Sequence, residues 1–412
     1  METVQTQPGV MNGAAHVNGV AAAQPTTRWV GVGHAEAGSA DQGRRAASAA
    51  LAGRAAKLMI VFSSDAEDLV ALAAGVRSVS ADAALIGCTT AGELSGDGAG
   101  DGGVVVAALG GDGFDVRTAI GHGEAGRLRE AGAAAAGAVA ELGTARPHRA
   151  LLLLSDGVAG NQQEMIRGVH DIVGSSVPLV GGCAGDGMKM ERTFQICGDE
   201  VISGGVVGAA IGSDGPIGIG WSHGWERTGE PMLVTNSRGN HVIEIDDRPA
   251  LDEYLTRLGA PAEVAAEPQA FTRWARTHPL GLGRRPNGDE PVRCVSEADF
   301  DGRSIICTAE VPAGGLAWFM HGDGDSVLRS TASACDHAIS ALDGAEPLGL
   351  IAFDCIGRRG VLGDERIAEE VEAIRGCTRR APFAGLYTYG EIARVRGVNA
   401  LHSQTFVAMA IG

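Results

Sequence analysis

The stretch Gly204–Gly215 reads GGVVGAAIGSDG, and the chain has already spelled nearly the same words at Gly102–Gly113, GGVVVAALGGDG. Nine of the twelve positions are identical. A short apolar run bounded by Gly and Asp has the pattern of a buried strand that ends in a turn. Its recurrence makes the repeat, not any single segment, the unit to be read.

Working outward, the first copy holds VGVGHAEAG (30–38), an Ala-rich helical stretch to Ala56, the strand KLMIVFSSD (57–65) and a helix pattern over 66–79. ALIGCTTAGEL (84–94) and the strand at 102–113 follow. The second copy keeps the order: TAIGHGEAG (118–126), an Ala-rich helix to Leu142, RALLLLSDG (149–157), a helix over 161–173 and PLVGGCAGDG (178–187). A fainter third copy reads LAWFMHGDG (316–324), helix to Leu342, LGLIAFDCIG (348–357), helix 364–375, AGLYTYGEI (384–392) and SQTFVAMAIG (403–412). Residues 214–313 then form an insertion between copies two and three, with a helix near 249–258 and a Pro- and Arg-rich loop at 279–291. Each unit is strand–helix–strand–helix–strand–strand, and such alternation predicts an α/β fold of mixed sheets layered with helices.

In sheets of this kind ligands collect at the carboxyl ends of the strands. The first strands end in His34-Ala35-Glu36, His122-Gly123-Glu124 and His321-Gly322-Asp323, and the second in Ser63-Ser64-Asp65, Ser155-Asp156 and Asp354-Cys355. The third end in Gly92-Glu93, Gly185-Asp186 and Gly390-Glu391. Acids and serines before helices also serve as caps, and Gly-acid pairs serve turns. Residues that differ between copies are therefore better candidates for chemistry: Cys183, Tyr387, Tyr389 and, in the insert, Trp221, Trp225 and His241.

Composition narrows the partners. The 412 residues are 45% hydrophobic and carry a formal charge of −17 with two lysines, Lys57 and Lys189. Neither nucleic acid nor an anionic membrane suits such a surface. No window approaches a span of ~20 apolar residues. No Lys or Arg precedes Arg28, so the charged start of a secretory signal is missing. Residues 1–27 read as a disordered tail. Eight scattered cysteines without a C-x-x-C pair fit reduced thiols and a cytoplasmic location.

Enzyme motifs fail on context. GWSHG (220–224) matches a serine-hydrolase elbow, but a strand-like run follows where that elbow needs a helix. The G-x-G-x-x-G at 98–103 precedes a strand instead of following one, and there is neither a P-loop nor an H-E-x-x-H. Cys183 would be a reactive thiol only if a cation lowered its pKa, and with Asp186 nearby the sequence points instead to a buried or ligand-contacting thiol.

The segments LIGCTTAGEL, LVGGCAGDGM, GWERTGEPMLVTNSRGNHVIEID, RPALDEYL, GLYTYGEIARV and LHSQTFVAMAIG together resemble the FIST domain, in both its N- and C-terminal halves, from about Trp29 to the end. Asp247 stands where that family usually has Gly, and the Arg-rich loop 284–293 departs from it. The resemblance implies a sensory domain of signal transduction for amino-acid-like ligands, not an enzyme. It also admits haem, for which His223, His241, His321 and His402 are the available axial ligands, although the chain is only 4% aromatic.

The expected organisation is a tail (1–27), a FIST N-terminal domain (28–240) and a FIST C-terminal domain (241–412). The expected protein is a cytoplasmic small-ligand sensor that needs no cofactor and signals in trans to a partner such as a kinase or cyclase. Its pocket is expected at the strand ends of copies two and three, lined by Cys183, Asp186, Tyr387, Tyr389 and Glu391, with the insert's tryptophans over the opening. The alternatives are a haem-based gas sensor and an enzyme using Cys183 or a His-acid pair.

Overall fold

A computed structural model describes residues 27–36, 40–64, 68–123, 126–283, 291–395 and 400–412. Residues 1–26 of the expected tail, Asp65, Glu124 and positions 284–290 of the Arg-rich loop lie outside the described residues. The first unit runs β1 (Trp29–Glu36), α1 (Ala40–Leu51), β2 (Ala56–Ser63), α2 (Leu69–Arg77), β3 (Ala84–Thr89), β4 (Glu93–Ser95), β5 (Gly98–Gly100) and β6 (Gly103–Gly110). The second runs β7 (Phe114–Gly121), α3 (Leu128–Ala136), α4 (Ala138–Leu142), β8 (His148–Ser155), α5 (Gln162–Val173), β9 (Leu179–Cys183), β10 (Gln195–Cys197), β11 (Glu200–Ile202) and β12 (Val206–Ser213).

β2 and β3 pair in parallel, while β6 lies antiparallel between β1 and β2. The first three strands therefore point one way and their carboxyl ends share a rim. Unit two repeats the arrangement with β7, β12, β8 and β9.

The third unit begins earlier than its sequence suggests. Its first strand is β13 (Ile217–Ser222), immediately after β12, and not the segment 316–324. The reason is steric. Gly218 and Gly220 let β13 lie directly against the helix that follows the insert, where an added Cβ would come within 1.9 Å of the Ala338 carbonyl oxygen and 2.2 Å of that of Ala334. Gly31 and Gly33 do the same for α1. The insertion thus sits inside unit three, between its first strand and first helix. It comprises β14 (Glu226–Arg238), β15 (His241–Ile245), β16 (Arg248–Pro249), α6 (Ala250–Arg257), α7 (Pro268–Ala275), β17 (Leu280–Leu282), β18 (Val292–Arg293), β19 (Val295–Asp299), β20 (Ser304–Cys307) and β21 (Leu316–His321). These strands form their own antiparallel sheet over a separate core that includes Val242, Tyr254, Phe271 and Phe319. Unit three resumes with α8 (Gly324–Ser340), β22 (Gly349–Cys355), α9 (Ile356–Cys377), β23 (Phe383–Thr388), β24 (Glu391–Arg394), β25 (Leu401–His402) and β26 (Phe406–Ile411). α9 starts at Ile356, ahead of the expected 364, because the chain kinks at Gly363 (φ 66°) and continues helical on both sides.

Each unit also carries a small hairpin between its third and last strands, and none keeps it. β4–β5 of unit one extends the sheet of unit three by pairing with β23. β10–β11 of unit two pairs with β3 of unit one, and β24–β25 of unit three pairs with β9 of unit two. The sheet of each unit is six-stranded, with four strands of its own and two borrowed around a cycle. Small residues permit the crossings: a Cβ on Gly185 would stand 2.6 Å from the Ala91 nitrogen.

Strand alternation divides the core. Leu58, Ile60 and Phe62 of β2, Leu152 and Leu154 of β8, and Ile351 and Phe353 of β22 meet in one central cluster. The intervening residues face the helices. Residues two apart on a strand share a face, so one register serves both layers. Phe62 and Phe353 pack edge to face at 6.3 Å, a geometry that stabilises aromatic pairs. With a shared central cluster and exchanged hairpins, the three units form a single body.

Candidate functional site

The five residues singled out in the sequence gather where unit three crosses into unit two. Cys183 ends β9 with 1% exposure, its N–H donating to the Gly390 carbonyl oxygen at 2.7 Å. Burial, with smaller contributions from Glu391 and Asp156, pushes its thiol well above the usual range. Glu391 is fully buried and accepts from the Thr388 hydroxyl (2.6 Å) and the Thr405 N–H (3.0 Å). Desolvation raises its pKa to about 8 in spite of those bonds, so it is largely protonated at neutral pH.

Tyr387, also fully buried, faces the other way. Its hydroxyl lies 3.3 Å from Glu370, beside the buried pairs Arg358–Asp354 (2.5 Å) and Arg358–Glu370 (3.2 Å). Burial and then Glu370 raise the Tyr387 phenol well above its ordinary value.

Asp186 and Tyr389 do a different job. The Asp186 carboxylate accepts the N–H groups of Met190 (2.9 Å), Glu191 (2.8 Å) and Arg192 (3.0 Å), together with the Tyr389 hydroxyl. The same Tyr389 oxygen accepts the N–H of Met188 at 2.9 Å. Burial tends to raise the Asp186 pKa, but the bonds from Tyr389 and the three amides outweigh it and hold the carboxyl below its usual value. Met188 and Met190 adopt φ of 69° and 56° in this loop and expose 45% and 59% of their surface. Left-handed backbone is unfavourable for such residues, so the carboxylate that collects their loop's amides offsets a local cost.

Tyr389 also lines a cleft that opens between the repeat core and the insert. A cavity of about 340 Å³ is walled by Met188, Met190 and Tyr389 on one side and by Thr272, Cys294 and Val295 on another, with Cys355, Ile356 and Gly357 at the carboxyl end of β22. A second cavity of about 500 Å³ adjoins it and shares Met188, Arg276 and Ile356. Strand ends and domain junctions both favour ligand pockets. Arg359, in the second cavity, is clamped by Asp101 at 2.5 and 2.8 Å.

The insert covers this cleft, but not with its tryptophans. Trp225 is 4% exposed and donates its indole N–H to the Gln404 carbonyl oxygen at 2.8 Å, and Trp274 stacks on His278 at 4.0 Å. Arg276, which follows α7, takes their place. Sequence reading missed it because nothing local to the insert shows that it walls a cleft whose other side is the repeat core. Among the haem-ligand candidates, the His402 Nε2 lies 3.0 Å from the Ala393 carbonyl oxygen and that of His241 2.6 Å from the Ser304 hydroxyl. No helix among the described residues is long and apolar enough to cross a membrane.

Three hairpin-exchanged α/β units carrying one inserted β domain define a repeat-built scaffold. The chain belongs to the FIST family: residues 57–248 match the FIST N domain and residues 250–394 the FIST C domain. FIST domains are sensory domains of signal transduction. The N-to-C change at 248–250 falls on β16, at the entry to α6, and the expected boundary at 240/241 lies in the turn of the β14–β15 hairpin. An uncharacterised protein of Mycobacterium tuberculosis is 28% identical over 267 residues, 63% of this chain and 67% of that protein. One from Methanocaldococcus jannaschii is 28% identical over 208 residues, 48% of this chain and 38% of that protein. One from Mycobacterium bovis is 26% identical over 245 residues, 57% and 60% respectively.

Proposed function

We propose that the protein is a cytoplasmic sensor whose cleft between insert and core binds a small, amino-acid-like metabolite without a cofactor, and that it signals to a partner in trans. One observation carries the reading: Tyr389 lines the cleft and, through its hydroxyl, holds Asp186 and the loop over 186–192. A ligand that takes the Tyr389 hydroxyl as its own hydrogen-bond partner withdraws one donor from Asp186 and the acceptor from the Met188 N–H, and so loosens the tie between that loop and the cleft wall. The loop already exposes Met188 and Met190, flexible side chains suited to a protein contact. A change at the cleft is thereby converted into a change at the surface, with the unliganded and liganded loop as the two states.

The sign of the coupling follows from the same bonds. A ligand that prefers the released loop shifts the population toward it only by its difference in affinity for the two forms. A thermal-shift panel of amino acids and small organic acids finds a stabiliser on this account, because binding only the folded state raises apparent stability. Tyr389→Phe then keeps part of the shift and loses the loop response. A stabiliser whose effect survives bulky substitution of Ile356 in the cleft would place the site elsewhere.

A further inference from the structure

Arg276 stands out among the arginines around the cleft. Arg358 holds Asp354 and Glu370, Arg359 holds Asp101, and Arg366 holds Asp325 and Glu369. Arg276 is half-buried and lines both cavities, yet among the described residues no carboxylate pairs with its guanidinium. Only its backbone is used, accepting the Gln404 side-chain amide at 2.8 Å. Its Nη1 lies beside Gly360, 3.6 Å from where a Cβ would stand. Among the described residues its guanidinium has no protein acceptor, and its planar fork matches a carboxylate.

The walls next to it are of the opposite character. Met188, Met190, Val295, Ile356 and the Tyr389 ring line the smaller cavity, with the Cys294 and Cys355 thiols. Burial is the first cause that raises both thiols, so they stay uncharged near neutral pH. The site therefore offers one cation at the edge of an apolar chamber.

We infer that the cleft takes a monocarboxylic acid with an apolar body, the carboxylate on Arg276 and the body against Met188, Met190, Val295 and Ile356; this rests on the cleft being the ligand site. A dianion fits poorly, since Asp101 and Asp364 line the second cavity beside Arg359. An ammonium group adds little. Asp186 already takes four donors. Glu297, which lines the smaller cavity, is exposed, where ion pairs gain little. The sensor thus reads the acid and the apolar body of a metabolite and is nearly indifferent to an α-amino group.

Isothermal titration of the full chain with hexanoate, norleucine, hexanol and hexylamine tests this directly. Hexanoate and norleucine are expected to bind within a few-fold of each other, and hexanol and hexylamine at least about tenfold more weakly, the loss of one charge-assisted hydrogen-bonded pair. Arg276→Gln is expected to bring hexanoate down to the level of hexanol, with Arg276→Lys between. Since, among the described residues, the backbone carbonyl is the only group of Arg276 in a hydrogen bond, unfolding temperatures of these variants should match the parent and keep the comparison free of misfolding. Ile356→Trp, which fills the chamber, should abolish binding of every probe. Hexanol binding as well as hexanoate, or hexanoate unaffected by Arg276→Gln, overturns the assigned ligand class while leaving the cleft intact. Binding that ignores both Arg276→Gln and Ile356→Trp, or no binding by any of the four probes, overturns the cleft as the site and the class with it.

Discussion

In units one and three the acid after the third strand is a staple; in unit two it is a latch. Glu93 accepts from the Thr90 hydroxyl (2.7 Å) and the Gly103 N–H (3.2 Å), and Glu391 accepts from Thr388 (2.6 Å) and the Thr405 N–H (3.0 Å). Both bind the exchanged hairpin to the start of their own last strand, out of water. Unit two has Ala184 in the turn and one residue fewer before its acid, so Asp186 cannot repeat that geometry. It reaches outward instead and gathers three amides and Tyr389. A feature shared by copies holds the fold, and the copy that departs from it carries the loop proposed to respond to ligand.

The largest effect that sharpens this contrast belongs to Glu391→Ala. Removing the buried carboxyl leaves the Thr388 hydroxyl and Thr405 N–H without an acceptor, at a cost of about 2–4 kcal/mol, read as a lower midpoint in urea. Glu93→Ala should follow closely behind. Phe353→Ala provides a scale, since a central cavity of that size costs about 3–5 kcal/mol.

Next comes pH. Burial raises Glu391 to about 8 and Glu93 to about 7, against ordinary values of 4.5. The folded state therefore binds protons that the unfolded chain has lost. Their stabilisation is full below about pH 4.5 and disappears as pH rises through about 7 to 8. Thermal midpoints should fall between pH 5 and 8, and the double variant Glu93→Gln, Glu391→Gln should flatten that slope; an unchanged slope would show that other groups set it. Asp186 has the opposite sign. Its pKa lies below 3.8, so its contribution is present above that pH and lost only as pH falls through the lower folded value.

Smaller in free energy is Asp186→Ala. At a partly exposed loop it should cost about 1 kcal/mol or less globally, while limited proteolysis near Lys189 and Arg192 accelerates. Smallest is Tyr389→Phe, which removes one donor from Asp186 and the acceptor for the Met188 N–H and should leave the urea midpoint within about 0.5–1 kcal/mol.

The repeat made most of the scaffold legible. Strand and helix order in units one and two, and the common direction of their first three strands, followed from apolar runs and their spacing. Two features did not. β4, β5, β10 and β11 are three residues each, too short for a periodic signal, and their partners lie in other units, where local patterning says nothing. The first strand of unit three was hidden because the insert returns through β21, which ends in His321-Gly322-Asp323 and runs straight into α8, copying the look of a first strand. β13 carries the better mark, alternate glycines against a helix, but that mark has meaning only once the helix is known to lie there. Asp186 and Tyr389 were visible as departures between copies, and Cys183, Tyr387 and Glu391 shared their neighbourhood. Sequence spacing cannot tell a side chain on a cleft from one sealed behind it, and it passed over Arg276 because the cleft's other wall comes from the insert.

Amide hydrogen exchange at Met190, Glu191 and Arg192, measured in parallel with urea unfolding for Asp186→Ala and Glu391→Ala, tests the contrast between staple and latch most directly. The account predicts that Asp186→Ala speeds exchange of those three amides about tenfold or more while hardly moving the unfolding midpoint, and that Glu391→Ala lowers the midpoint without singling them out. Equal loss of stability in both variants, with no selective exchange in the loop, would contradict it.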